Sequence, residues 1–337
     1  MLANVKYKID NYLFPSKYNF AISFLASFCL LLSFCKPKEK QNSTKDFTGY
    51  YELINKYLIC NADSDSVGAY QNLKRALDNY NGFSGDYDEL IEMELKKGNR
   101  EAALKCAQKM VSIGYQFFNE SIENYGKIKL EYEDSVFIKV IIVEYPKWRK
   151  EYLANRSEYY NLLNLELNRM AGRAQYVRGR IDTKGLTTWK YSYEVDSINY
   201  VELKEIILKN GFPDRIQLDL RTAQGFNQIL LYSRFLDLTT KTDEKEMQWY
   251  DSTLRTAVFN GNISPQNYAG ITDYYYCLKA HFAKKEESQM YGEYNWLDKF
   301  NPIMDIKNVD KRRKELFLIP LSYKAKLDHL KLPAGYK

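Results

Sequence analysis

Residues whose types and spacing could do chemistry are sparse in this chain. His281 and His329 are the only two histidines in 337 residues, and each reads as a solvated or capping residue. No His-Glu-x-x-His metal helix, Gly-rich phosphate loop, Gly-x-Ser-x-Gly elbow or Cys and His nucleophile signature is present. The five cysteines, Cys29, Cys35, Cys60, Cys106 and Cys277, show no C-x-x-C spacing, so neither a metal nor a cofactor is expected. Cys60, Cys106 and Cys277 leave two states open, one disulfide among the three or free buried thiols throughout. The carboxylate pairs Asp243-Glu244 and Glu286-Glu287 lie in polar stretches and read as solvated faces. Glycosidase chemistry would need one carboxylic acid in an apolar pocket facing a second carboxylate.

The chain's address is more legible than its chemistry. Lys6, Lys8 and Lys17 stand against Asp10, and Phe20 to Phe34 is then almost wholly apolar, which is the order of an export signal. That run is shorter than the roughly twenty residues a membrane span needs. A polar tether with a helix-hostile proline follows, Lys36-Pro37-Lys38-Glu39-Lys40-Gln41-Asn42-Ser43-Thr44. Residues 1–35 therefore read as an export segment and 36–46 as a tether. The end of the run, Leu31-Leu32-Ser33-Phe34-Cys35, resembles the lipobox of bacterial lipoproteins, whose cysteine is acylated and becomes the mature N-terminus. Phe34 stands where Gly, Ala or Ser is usual, so an uncleaved signal anchor is the rival. Either route implies the bacterial envelope, a membrane anchor, and an unknown envelope partner or ligand on the periplasmic or outer-membrane face.

Composition fits a folded body, with 45% hydrophobic and 27% charged residues. The formal charge of +6 is no nucleic-acid footprint, because the charges alternate in sign along the chain. Even the densest run, Lys311 to Lys314, is flanked by Asp310 and Glu315. The thirty tyrosines could furnish a platform for stacking on sugars. Tyr, Asn, Lys and Ile are abundant together, however, and composition bias is the simpler reading.

The elements that follow are mainly α-helical. Apolar positions recur at helical spacing from Asp46 to Tyr80, giving two short helices, and Asn81-Gly82-Phe83-Ser84-Gly85 breaks the pattern. Between Asp86 and Gly114, Tyr87, Leu90, Ile91 and Leu95 form one stripe. Gly98-Asn99 turns the chain, and Ala102, Ala103, Cys106, Ala107 and Met110 form a second stripe. This unit resembles one tetratricopeptide-type helix pair. A lone copy implies part of a compact helical domain, because repeat arrays need several units. The run Phe137 to Val143 fits a strand or a buried helix. Pro146 to Arg180 predicts a helix pair with Trp148, Leu153, Tyr160, Leu163, Leu167 and Met170 inward, and Ile181 to Ser197 predicts a loop with a short hairpin. A helical N-terminal domain, 47–180, and a mostly helical C-terminal domain, 181–337, are expected.

The helix from Asp196 to Lys209 stops at Asn210-Gly211, with Pro213 blocking continuation. This stop and the motifs after it carry a resemblance: Lys209-Asn210-Gly211-Phe212-Pro213, Gln248, the run Asn260 to Asn267, Ala269, Asp273, Gln289-Met290-Tyr291-Gly292 and the run Asn308 to Arg313. In order and spacing they are similar to the uncharacterised bacterial family called domain of unknown function 6624, over about Tyr193 to Ser322. That family reads Gln-His where this chain has Leu231-Tyr232. It reads Asp-Arg at Asp273-Tyr274, and Gln-x-Tyr-Gly-Thr-Gln at Gln289 to Tyr294. A histidine at the first motif would be the usual general base near neutral pH; here it is absent.

The resemblance leaves a polar set that could converge: Asp273 on a helix, Gln289, Tyr291 and Glu293 on a turn, and Asn308, Asp310 and Arg313 opening the last helix. A scaffold reading is equally concrete. Asn308 or Asp310 would cap the helix Lys311 to Leu316, Gly292 would take a positive φ, and Asp273 would pair with Arg313. The expected function is a non-catalytic binding or interaction role. Its alternatives are an envelope hydrolase using Asp273 or Glu293 as acid or base, and a helical-repeat scaffold that binds a peptide or protein.

Overall fold

In a computed structural model, the described residues are 46–117, 132–184, 189–236, 244–286, 288–296 and 299–336. The export segment with Cys35, the tether as far as Lys45, and Asp243 and Glu287 of the carboxylate pairs lie outside them. The chain begins with α1 (Thr48–Ala62) and α2 (Ser66–Asn79). The Asp65 side chain accepts the Gly68 N–H at 2.9 Å to start α2. Ala69, Leu73, Ala76 and Leu77 then fall on one face and are buried.

The expected helix pair follows as α3 (Ser84–Lys96) and α4 (Arg100–Ser112). Gly98 turns the chain with φ +75°, a value that favours glycine. Tyr87, Leu90 and Ile91 of α3 and Ala103, Ala107 and Met110 of α4 are buried in the same core, and the two helices pack on each other. Buried Glu94 accepts the Tyr70 hydroxyl at 2.8 Å and the Asn99 amide at 3.0 Å, fastening α2 to the α3–α4 turn.

The apolar run from Phe137 is helical. It opens α5 (Ser135–Asn155), whose N-cap Asp134 accepts the Val136 and Phe137 N–H groups at 3.0 Å. Pro146 does not break this helix. It lies on the exposed face, so the acceptor it leaves without an intrahelical donor faces water. Phe137, Ile141, Tyr145, Trp148 and Tyr152 form the buried stripe, whereas Leu153 is 39% exposed, contrary to expectation.

A second correction concerns Ile181 to Ser197. The described part of that stretch is helix, the end of α6 (Glu158–Lys184) and the start of α7 (Trp189–Asn210). Gly185, Thr187, Thr188 and the alternating aromatics of that stretch suggest a loop. In fact α6 and α7 are held together by polar side chains: Arg178 Nη2 reaches Asp196 at 2.6 Å, Arg173 Nη2 reaches Glu202 at 2.8 Å, and Asn199 Nδ2 donates to the Met170 carbonyl at 3.1 Å. Helix α7 ends as predicted, with Gly211 at φ +81°. The chain then runs through α8 (Leu220–Arg234), α9 (Glu244–Phe259) and α10 (Pro265–Phe282). Two short antiparallel strands follow, β1 (Asn295–Trp296) and β2 (Lys299–Phe300), paired Asn295 to Phe300 and Trp296 to Lys299. Helices α11 (Val309–Glu315) and α12 (Leu321–Leu327) close the chain.

Residues 45–337 pack as one unit, and the boundary read at 180/181 falls inside α6. Side chains cross it repeatedly. The Tyr51 hydroxyl donates to the Val258 carbonyl at 2.8 Å, and Asn55 Nδ2 donates to the Phe317 carbonyl at 3.0 Å. The Arg215 guanidinium caps the carbonyls of Asn81, of Gly82 at 2.9 Å and of Gly261 at 2.6 Å. Among the described residues, no helix is long and apolar enough to cross a membrane, and no disulfide joins Cys60, Cys106 and Cys277.

Candidate functional site

The turn from Gln289 to Tyr294 is where the predicted polar set gathers. Helix α10 brings Asp273 to it. That helix starts on Ser264, whose hydroxyl accepts the Asn267 N–H at 3.1 Å, with Pro265 in its first turn. Asp273 lies two turns further on and is fully buried. Its Oδ1 accepts the N–H of Met290 at 2.7 Å and of Tyr291 at 2.8 Å, and its Oδ2 accepts the N–H of Glu293 at 2.7 Å. One carboxylate thus organises three donors of the turn.

The acceptors of the same turn are met from the other side. Arg312 Nη2 donates to the Met290 carbonyl at 3.0 Å, and Arg313 donates to the carbonyls of Tyr291 and, at 2.6 Å, of Ile319. Gly292 has φ +79°, as expected, and a Cβ there would lie 2.8 Å from Leu321 Cδ1. Gln289 is fully buried, donates to the Asn301 carbonyl at 3.0 Å and accepts the Tyr294 N–H at 3.1 Å.

Two expectations are corrected here. Asp273 is not the ionic partner of Arg313. That partner is Glu293, whose Oε1 lies 2.9 Å from Arg313 Nη2, with Lys324 Nζ at 3.4 Å from its other oxygen. The amides of the turn satisfy Asp273 fully, leaving the nearly enclosed Glu293 to balance the buried guanidinium. Neither Asn308 nor Asp310 caps α11 through its side chain. Asn308 holds the N-cap position without a side-chain cap, is exposed, and donates to Asp305 at 2.8 Å. Asp310 turns away to accept the Leu321 N–H at 2.8 Å and the Tyr336 hydroxyl at 2.7 Å.

Burial pushes the Asp273 carboxyl up to about 6, while the three amides pull the other way by favouring the anion. A base needs a free lone pair facing a substrate. The two carboxylates of this turn point instead at its own backbone and at two cations. Among the described residues, no three His, Cys, Asp or Glu side chains gather as metal ligands would.

Sequence reasoning missed the polar network beside the turn. The Tyr291 hydroxyl accepts from Arg255 Nη2 at 3.2 Å. Arg255 Nε reaches the Tyr268 hydroxyl at 3.0 Å, and that hydroxyl donates to Asp251 at 2.8 Å. The four-residue spacing of Asp251 and Arg255, a helical ion pair at 3.3 Å, was the available signal.

Tyr232, Tyr274 and Tyr294, from three separate stretches of the chain, also meet. In the fold, Tyr274 packs on Tyr294 with centroids 4.8 Å apart and on Phe235 at 5.2 Å, and Phe235 packs on Tyr232 at 6.5 Å. The Arg178 guanidinium lies 3.4 Å over the Tyr232 ring. All four residues are half-buried. No protein-family model, curated protein or solved structure matches this chain.

Proposed function

We propose that this chain is an envelope-anchored protein with a non-catalytic binding or interaction role, held to the membrane by an acyl group on Cys35 or by an uncleaved signal anchor. We further propose that its C-terminal half belongs with the family it resembles. The observation that carries the non-catalytic reading is the half-buried aromatic cluster of Tyr232, Phe235, Tyr274 and Tyr294. Three positions from separate parts of the chain, each polar in that family, meet here as tyrosines. Partly exposed aromatic rings provide contact area at little conformational cost, whereas phenols, which titrate far above neutral pH, are poor bases there.

The hydrolase alternative needs Asp273 or Glu293 open to a substrate, and the hydrogen bonds of Asp273 and the ion pairs of Glu293 weigh against it. The repeat-scaffold alternative has support of its own. Helices α1 to α5 each pack on the next in chain order, the nearest-neighbour pattern of helical hairpin arrays. Helix α12 also packs on α1, which caps that series at its first helix.

Intact mass and detergent partitioning of the protein from its native membrane, wild type against Cys35→Ala, test the address. A mature mass beginning at Cys35 plus acyl chains, lost in the variant, is the expected result. A full-length mass in both would leave the envelope reading with a signal anchor. Release of the wild-type protein into the aqueous phase would overturn it.

A further inference from the structure

We propose that the outer face of the α6–α7 hairpin is where a second copy of this chain docks, closing two hairpins into a four-helix bundle. This goes beyond the binding reading and stands whatever anchors the chain. Each of the two helices carries two apolar rows. The inner rows, Leu163, Leu167 and Met170 of α6 and Tyr200, Leu203 and Ile207 of α7, are buried in the core. The outer rows, Leu162, Leu165 and Tyr176 of α6 and Tyr191, Ile198, Val201 and Leu208 of α7, are exposed. Along each helix the outer residues fall on the a and d positions of one heptad register, the spacing of a helix–helix seam. A helix that only covers a core needs a single apolar row.

The area matches that occupant. Between 43% and 68% of each of the seven outer residues is exposed, and α6 and α7 pack on each other. At roughly 100–200 Å2 per side chain, the rows leave on the order of 500 Å2 of apolar surface. A standard interface takes about 800 Å2 from each partner, somewhat over half of it apolar, which is about what the rows supply. A lipid surface is a poorer occupant. It calls for Lys and Arg beside the apolar rows, whereas the charges set among them are Glu194, Glu202 and Glu205 against Arg169.

The hairpin is also complementary to itself. Its cross-links run from Arg169 to Glu202, from Met170 to Asn199 and from Arg178 to Asp196, so the two helices are antiparallel. A two-fold axis lying in the outer face, parallel to the helices, sets α6 of one copy antiparallel over α7 of the other, the packing of an up-and-down bundle. Leu162 and Leu165 of each copy then stand level with Leu208 of the other, and Tyr176 with Ile198. Between these apolar layers lies Arg169, half exposed and 2.8 Å from its own Glu202. It comes level with Glu202 and Glu205 of the other copy, so opposite charges meet at the centre of the face.

The test is sedimentation equilibrium of the full chain in density-matched detergent across a range of concentrations. We expect the mass of two chains, with a Kd on the order of micromolar. Leu165→Lys with Val201→Lys, both exposed in the single chain, should raise that Kd about a hundredfold or more while the circular dichroism spectrum stays unchanged. Arg169→Glu and Glu205→Arg should each weaken the dimer, because like charges then face each other across the two-fold axis. An equimolar mixture of those two variants should associate more tightly than either alone, because each copy again meets the opposite charge. A single-chain mass at every concentration, a dimer indifferent to the lysine pair, or a mixture no tighter than its components would each overturn the proposal.

Discussion

The Asp273 carboxylate accepts the backbone N–H of Glu293 at 2.7 Å, while the carboxylate of Glu293 turns to Arg313 at 2.9 Å. The two acids that could have worked as a catalytic pair are thereby joined through one residue's backbone into a support for the turn between them. Asp273 fixes the donors of that turn, and Glu293 neutralises the arginine that fixes its acceptors.

Glu293→Gln keeps the shape of the side chain but leaves Arg313, which is fully buried, without its counter-charge. Breaking a buried pair from one side costs about 3–5 kcal/mol. Urea denaturation should show a loss in that range, and a change below about 1 kcal/mol would contradict the assignment.

The pH dependence follows from Asp273. Its folded carboxyl titrates at about 6 against an ordinary value of 3.8. The folded chain therefore holds this proton more tightly than the unfolded chain. Its contribution is full below about pH 4 and is lost as the pH rises to about 6. The measurement is a carbon-13 NMR titration of the aspartate carboxyls. One carboxyl moving with a midpoint near 6, removed by substitution at Asp273, is expected; a midpoint below 4 would show that the three amides outweigh burial.

Two glycines should respond to alanine in opposite directions. Gly114 has φ +95°, and its Cβ would sit 2.3 Å from the Leu218 carbonyl oxygen, where the backbone bond from Leu220 N–H to Gly114 O also forms. Gly114→Ala should destabilise the fold by more than about 1 kcal/mol. Gly172 lies inside α6, and a methyl added there would meet nothing within 4 Å, so Gly172→Ala should stabilise by about 0.5–1 kcal/mol. Thermal unfolding of both variants checks the pair.

The helices are legible in the sequence because their apolar stripes and stop signals are local. Leu73 to Leu77, the Gly98 turn and the Gly211 cap all follow from spacing and from residues that tolerate positive φ. The stretch Ile181 to Ser197 reads as a loop because of Gly185, Thr187, Thr188 and its alternating aromatics, whereas the ion pair of Asp196 with Arg178 of α6 is a contact that local pattern cannot name. The same limit governs the polar set. Asp273, Gln289, Tyr291, Glu293 and Arg313 do meet, as their order suggests. Which acid faces which arginine depends on where the turn's own amides point, and that is set only in three dimensions. The meeting of Tyr232, Tyr274 and Tyr294 also appears only once α8, α10 and the turn are packed.

The central claim is that this polar cluster builds structure, and Asp273→Asn tests it most directly. A protonated carboxyl keeps a lone pair on its hydroxyl oxygen, but an amide nitrogen has none, so at least one buried N–H of the turn loses its acceptor. Unfolding in urea at pH 7, compared with the exposed control Asn308→Ala, is the measurement. The account predicts a loss of about 1–3 kcal/mol for Asp273→Asn and under about 0.5 kcal/mol for the control. Equal stability of the two would contradict it, because the amides of the turn would then be free to hold something other than Asp273.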